Sequence, residues 1–347
     1  MKNILVVDDS AFMRKIITDI IEKDKELNVI DTARNGIEAI DKLENLNVDL
    51  VTLDIEMPIL NGIETLKKIK DKHKKLPVLM VSNLTKQGAE LTLKALEIGA
   101  VDFITKPNNI FKVNSEEKSK EIVNKIKAII YSKPNINIKL NKKNVCCQQN
   151  NVYKYNKVKN IVGIGCSTGG PRALQEIISQ INSNINAAIL IVQHMPKGFT
   201  KSLADRLNNI SNICVKEAEN GEYLQNGYCY IAPGDKHLVV INSNDKIEIR
   251  LKDGGPVSGH KPSVDKLISS IADLKDIKKI GVMLTGMGSD GAKGFKKLSE
   301  SGSYNIGQNE ETCIVYGMPK SAYKIGAIDI ELPLHNIVNE IEKKLEG

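Results

Sequence analysis

Ser167 sits in the stretch GIGCSTGGPRAL, with Gly165 and Gly169 two residues to either side. A G-x-S-x-G turn between a strand and a helix is sharp enough to present a serine hydroxyl at the edge of a sheet. Pro171 suits the first turn of that helix, where its missing N–H costs nothing. The start of the helix offers backbone donors and positive potential to a developing oxyanion. A serine hydroxyl is a weak nucleophile until a base takes its proton. His194 closes the next apolar run, AAILIVQH, and can be that base. Asp290, in the glycine-rich turn of IGVMLTGMGSDGAKG, can be the carboxylate that orients the imidazole.

The same glycines admit a second chemistry, since Gly163, Gly165 and Gly169 spell G-x-G-x-x-x-G after an apolar run. A dinucleotide site also wants an acid at the end of the next strand, and a Walker loop wants Gly-Lys-Ser/Thr. Gln193 and His194 stand where the acid belongs, and the Walker lysine is missing. Nucleophilic catalysis by Ser167, His194 and Asp290 is therefore favoured. The order Ser, His, Asp differs from the nucleophile, acid, base order of the α/β-hydrolases, so that superfamily is not assigned. The alternative is a second domain that binds a small phosphorylated ligand and does no chemistry.

A second constellation lies nearer the N-terminus. Asp8 and Asp9 follow one apolar run, Asp54 ends another, Ser82 ends a third and Lys106 follows a fourth. Three carboxylates brought to one edge repel one another unless a cation joins them, and hard oxygen ligands suit Mg²⁺. A lysine across from them can neutralise an added anion.

These residues need elements to position them. Strand candidates ILVVD (4–8), VIDTA (29–33), LVTLD (50–54), VLMVS (78–82) and DFIT (102–105) alternate with amphipathic segments such as AFMRKIITDIIEKD and GAELTLKALEIGA. Five β-α units predict a flavodoxin-like parallel sheet over residues 1–131, with helices on both faces. After residue 156 the alternation resumes with NIVGIG, AAILIVQ, CYIAP, HLVVINS, KIEIRL and IGVMLTG. The polar centre of HLVVINSNDKIEIRL predicts an antiparallel hairpin. Residues 157–347 are thus expected to form a doubly wound, mostly parallel sheet with that hairpin added. Between the two, residues 132–156 carry seven asparagines and weak periodicity, which reads as a linker. In such sheets chemistry gathers at the carboxyl ends of the strands.

The net charge of +7 is unevenly spread. Residues 1–131 are neutral, 157–347 carry +2, and 132–156 hold five lysines and no acid. A nucleic-acid-binding domain should itself be basic, so this distribution argues against nucleic acid. The six cysteines form no C-x-x-C pair and read as free thiols. No run approaches the ~18 apolar residues that cross a bilayer. MKNILVVDDS lacks the long apolar stretch of a signal peptide. A cytoplasmic protein without direct membrane insertion is expected.

Residues 1 to about 131 resemble the receiver domains of two-component response regulators, on the acids at 8, 9 and 54, Ser82, the Lys106-Pro107 pair and the loop DIEMPILNG. Ile59, Leu60 and Asn61 depart from the usual residues of that loop's surface, not from the pocket. The resemblance implies that Asp54 accepts a phosphoryl group from a chemotaxis histidine kinase. It implies Mg²⁺ held by Asp8, Asp9, the Asp54 carboxylate and the Glu56 carbonyl. Ser82 would sense the phosphoryl group, Lys106 would pair with it, and Phe103 would be the aromatic that changes position. A phosphoryl group adds about −1.5 to −2 charge and new acceptor oxygens, enough to bias a two-state loop.

The segments GIGCSTGGP, QHMPKGFT, APGDKH, KPSVD, LTGMGSDGAKG and YGMPKSA are similar, in order, to the catalytic domain of chemotaxis protein-glutamate methylesterases, the CheB family. This implies a Ser167–His194–Asp290 triad acting on methylated glutamates of methyl-accepting chemoreceptors, with methanol released, no cofactor for that step, and regulation by phosphorylation. Many relatives also deamidate receptor glutamines, with ammonia leaving. Met287 matches a family position near the oxyanion, and the Thr168 N–H is an equally good donor. Cys166 is expected to be a small buried filler and His237 a structural hydrogen-bonder. His260 and Lys261 are placed along the substrate cleft.

Overall fold

The chain, seen here as a computed structural model, divides into two compact units, Met1–Ile136 and Asn137–Gly347. Residues 1–106, 116–132 and 157–346 are described, apart from the side chain of Glu117. The linker expected at 132–156 falls outside them except for Ser132, as do Pro107, Cys146 and Cys147. Among the described residues, no helix is long and apolar enough to cross a membrane.

The first unit alternates β1 (Lys2–Val7), α1 (Ala11–Ile21), β2 (Leu27–Ala33), α2 (Gly36–Asn45), β3 (Leu50–Asp54), α3 (Gly62–Lys72), β4 (Val78–Ser82), α4 (Lys86–Ile98), β5 (Asp102–Thr105) and α5 (Glu116–Tyr131). The strands pair in parallel in the order β2-β1-β3-β4-β5. This is the flavodoxin-like order expected from five β-α units. β3 and β4 are buried from end to end, as strands covered on both faces must be. Local chemistry starts the helices. Ser10, Asn35, Asn61 and Thr85 each accept a backbone N–H of the helix they precede.

The second unit runs β6 (Asn160–Cys166), α6 (Gly170–Gln180), β7 (Ala188–Gln193), α7 (Phe199–Asn208), β8 (Cys214–Glu217), β9 (Tyr228–Ile231), β10 (His237–Ser243), β11 (Lys246–Lys252), α8 (Val264–Ala272), β12 (Lys278–Met283), α9 (Ala292–Glu300), β13 (Tyr304–Gln308), α10 (Met318–Lys324), β14 (Ile330–Leu332), a short 3-10 turn (Leu334–Asn336) and α11 (Ile337–Glu346). Seven strands pair in parallel in the order β14-β13-β12-β6-β7-β9-β8. The expected hairpin is present as β10 and β11. Its two loop residues, Asn244 and Asp245, both have positive φ (49° and 61°), as a type I′ turn requires. β8, β13 and β14 are additions to the strands read from the sequence. They are short, and Cys214–Glu217 and Tyr304–Gln308 contain too few apolar residues to stand out.

The order of this sheet decides where chemistry can occur. β6 lies in the middle, with β7 on one side and β12 on the other. Connections leave β6 in opposite directions, which opens a crevice at the carboxyl ends of the three strands. Ser167 follows β6, His194 follows β7, and Asp290 lies in the turn after β12.

Candidate active site and acidic pocket

The glycines of β6 serve packing. A Cβ on Gly163 would lie 2.8 Å from Cδ1 of both Ile268 and Ile271, and one on Gly165 would lie 2.4 Å from Val264 Cγ1. Bare backbone here lets α8 settle against the strand. Its N-terminus then reaches the crevice, so G-x-G serves a helix and not a phosphate. Gly169 takes the left-handed conformation (φ 78°) that turns the chain from β6 into α6.

Asp290 is 1% exposed and points into the start of α8. Its Oδ1 accepts the Ser263 hydroxyl at 2.8 Å and the Asp265 N–H at 3.2 Å. Its Oδ2 accepts the Val264 N–H at 2.7 Å and His194 Nε2 at 2.8 Å. Burial by itself would push this carboxyl up. The hydrogen bond and charge of His194, with the Val264 N–H and the Ser263 hydroxyl, outweigh it and hold the group below the usual carboxylate range. A carboxylate accepts only, so Nε2 of His194 carries the proton and Nδ1 keeps its lone pair. Nδ1 is buried and without a hydrogen-bond partner among the described residues. The imidazole is held on its second face by His260, whose ring stacks on it with centroids 3.8 Å apart and planes 10° from parallel.

Ser167 directly follows the paired positions Cys166 and Gln193 of β6 and β7, and His194 follows on the other strand. The two residues are therefore lateral neighbours, and the His194 N–H donates to Cys166 O at 3.2 Å. The Ser167 hydroxyl has no hydrogen bond to the imidazole or to any other described group. The structure thus joins His194 to Asp290 and places Ser167 beside them with its last link open. Such links are often long without substrate. The backbone N–H groups of Thr168 and Met287 donate to nothing among the described residues. Met287 follows Gly286, where a Cβ would lie 2.9 Å from Ser167 Cβ, so both N–H groups belong to residues bordering the nucleophile.

The remaining expectations for this unit divide. Cys166 is fully buried, and burial pushes its thiol well above the usual range, so it fills space and is not reactive. His237 accepts the Ser263 N–H on Nδ1 at 3.2 Å and faces Gly255 O with Nε2 at 3.0 Å. It pins the segment that carries Ser263, a structural task. His260 contacts the base directly, while Lys261 lies 4.0 Å from Asp253. Ser263 was not singled out from the sequence, although a serine before the apolar pattern of α8 is an N-cap signal. Ser263→Ala removes one of the four donors on Asp290. Its kcat should fall about tenfold, with a helix-capping cost of about 1 kcal/mol. Steady-state rates beside a melting curve check this; a lower melting temperature with unchanged kcat would reduce Ser263 to a helix cap.

In the first unit, Asp8, Asp9 and Asp54 present ligand oxygens within 4.8 Å of one another, with Asp8 and Asp54 buried and Asp9 exposed. Lys106 Nζ lies 3.0 Å from Asp8 Oδ2 and 2.7 Å from Asp54 Oδ2. Apart from that ammonium, neither oxygen has a partner among the described residues. Burial and the charge of Asp8 raise the Asp54 carboxyl to about 6, even against Lys106 and the Glu56 N–H. Burial would lower Lys106, but Asp54 and Asp8 together hold it above its usual value. Arg14 ties the carbonyls of Asp8 and Asp9 through one Nη1, at 2.8 and 3.0 Å. The Glu56 carboxylate is occupied by Asn83 Nδ2 at 2.6 Å, which leaves its carbonyl as the group to consider for a metal. Ser82 ends the adjacent strand, but its hydroxyl is taken up by Thr92 (2.7 Å) and the Gly88 carbonyl (3.2 Å) on α4. Phe103 is 5% exposed, and its carbonyl accepts Lys125 Nζ at 3.0 Å.

Comparison with known proteins finds the CheB methylesterase family over residues 162–341 and the response regulator receiver domain over residues 4–115. The chain is 45% identical over 340 residues to a protein-glutamate methylesterase/protein-glutamine glutaminase of Bacillus subtilis, covering 94% of each chain. It is 42% identical to the protein of the same name from Pyrococcus abyssi, covering 99% of this chain and 93% of the relative. The second unit resembles the Thermotoga maritima CheB methylesterase catalytic domain, with 46% identity and a TM-score of 0.51, over 54% of this chain and 97% of that one.

Proposed function

The chain belongs to the CheB methylesterase family, with a response regulator receiver domain at its N-terminus, and from this we infer that it is a protein-glutamate methylesterase and protein-glutamine glutaminase of chemotaxis adaptation. The observation that carries the mechanism is the orientation of one ring. His194 gives its Nε2–H to a buried, four-donor carboxylate, which leaves Nδ1 without a partner among the described residues, on a residue that is the lateral neighbour of Ser167.

In the proposed reaction, Nδ1 takes the Ser167 hydroxyl proton as Oγ attacks the γ-carbonyl carbon of a methylated glutamate. Asp290 stabilises the imidazolium that forms. The N–H groups of Thr168 and Met287 receive the oxyanion. As the C–O bond to the methyl group's oxygen breaks, Nδ1–H protonates it and methanol leaves. Water then attacks the acyl-serine, gives its proton to Nδ1, and releases glutamate and the serine hydroxyl. With glutamine the leaving group is ammonia. Methanol release from a methylated chemoreceptor fragment tests the function; turnover absent under all phosphorylation conditions would leave the second unit as a binding module.

The receiver domain implies phosphotransfer from a histidine kinase to Asp54. Two buried carboxylate oxygens facing a single ammonium, with Asp54 raised by burial and by the charge of Asp8, fit a divalent cation. Asp8, Asp9, the Asp54 carboxylate and the Glu56 carbonyl would hold Mg²⁺. When bound, it would neutralise charge on the incoming phosphoryl group. Lys106 would then pair with that group, and Ser82 would leave Thr92 to meet it, while Phe103 follows. Residues 132–156 are read as the linker between the two domains. A small phosphodonor with Mg²⁺ should label the whole chain and raise methanol release. Asp54→Asn or chelation of Mg²⁺ should abolish both the label and the increase. Residual label on Asp54→Asn, read by mass spectrometry, would move the phosphoacceptor elsewhere.

A further inference from the structure

The peptide joining Ser167 to Thr168 is one rigid unit. In a planar trans peptide the carbonyl and the N–H point in opposite directions. Whatever holds the Ser167 carbonyl therefore sets the direction of the Thr168 N–H. That carbonyl accepts the Gly170 N–H at 2.8 Å and Gln193 Nε2 at 3.0 Å. The same Nε2 donates its other proton to the His194 carbonyl at 3.1 Å. One amide, 2% exposed, thus ties the residue of the nucleophile to the residue of the base.

The amide cannot be turned around, since Oε1 in place of Nε2 would face two carbonyl oxygens. Oε1 lies against Gly170, where a Cβ would come within 1.9 Å of it. There it is buried and accepts no hydrogen bond among the described residues. A buried acceptor left unsatisfied costs free energy, so stability alone is a weak reason for this residue. The opposite side of the turn is held by Thr285. Its carbonyl accepts the Ser167 N–H at 3.1 Å, and its hydroxyl donates to the Thr168 carbonyl at 3.0 Å.

We propose that Gln193 is a positioning residue for the hydrolysis: by holding the Ser167 carbonyl it aims the Thr168 N–H at the oxyanion, and by sharing its amide with the His194 carbonyl it sets the base against the nucleophile. This rests on Ser167 being the nucleophile. Loss of the clamp leaves substrate contacts in place and lets the oxyanion donor swing, so it acts on the transition state and not on substrate binding.

The test uses the full chain and a methylated receptor fragment. Gln193→Met keeps the volume and removes both donors; Gly170→Ala keeps the glutamine and displaces its amide. In each, kcat should fall about 10- to 100-fold with KM nearly unchanged, and a boronate that forms a tetrahedral adduct at the serine should bind more weakly by a similar factor. A glutamine that merely stabilised the fold would lower the melting temperature without that split. Either folded variant retaining the parental kcat overturns the proposal. If neither folds, hydrogen exchange of the Gln193 side-chain amide in the parent decides: protected protons support the clamp and fast exchange removes it. A serine-directed fluorophosphonate separates the two levels. Labelling of Ser167 in the parent keeps the nucleophile whatever Gln193 does, and its absence removes the premise itself.

Discussion

Ser167→Ala should lower methanol release from a methylated receptor fragment by about four to six orders of magnitude, with affinity for the fragment unchanged. The size follows from what remains. Without Oγ no acyl-enzyme can form, and the activated imidazole has no proton to take. Two backbone donors and the binding surface persist, so hydrolysis should stay above the uncatalysed rate. Ser167 is partly exposed and its hydroxyl bonds to no described group, so its removal leaves no polar atom orphaned and the fold should melt near the parental temperature. A stably folded variant releasing methanol at the parental rate would end the assignment. Cys166, next in sequence, offers no substitute nucleophile because burial keeps its thiol protonated.

Asp290→Asn should cost about 10⁴ in kcat, for a different reason. All four partners of this carboxylate are donors: the Ser263 hydroxyl, the Val264 and Asp265 N–H groups and His194 Nε2. An asparagine must turn its NH₂ toward one pair of them. Turned toward Oδ2's partners, it meets the Val264 N–H of α8 and Nε2–H, and the ring can answer only by moving its proton to Nδ1, the nitrogen that must accept from Ser167. Turned toward Oδ1's partners, it meets the Asp265 N–H and loses the start of α8. The imidazolium also loses its counter-charge in either case. Either orientation loses one backbone donor of α8, so activity is measured beside thermal stability; normal kcat with intact structure would show that His194 needs no carboxylate.

Most of the candidate site residues were legible because they close or directly follow an apolar run. Parallel strands covered on both faces must read as continuous hydrophobic stretches, and the polar residue that ends such a stretch lies at the sheet edge where sites form. Ser167, His194, Asp8, Asp54, Ser82 and Lys106 were all found in this way. The hairpin was legible from its turn residues. β8, β13 and β14 were not, since short strands at or near an edge of the sheet carry little apolar pattern of their own. Ser263 and Gln193 escaped a functional reading because nothing in the order of residues says which carboxylate a helix start will meet, or which two carbonyls an amide will bridge.

The order of residues was enough to mark the candidate reactive groups, the two α/β sheets that carry them and the edge of each sheet on which they lie. Those are consequences of periodicity and local turn chemistry, which act over a few residues. Packing between distant segments set β6 between β7 and β12, brought α8 onto bare glycine closely enough to hold Asp290, and so gave the carboxylate Nε2 of His194 and not Nδ1. It also set the Ser82 hydroxyl on Thr92 and the Gly88 carbonyl of α4. Each of these depends on groups in different elements, most of them tens of residues apart, choosing among several possible hydrogen-bond partners. That choice is settled by packing, where burial makes an unpaired polar group costly, and no local pattern records it.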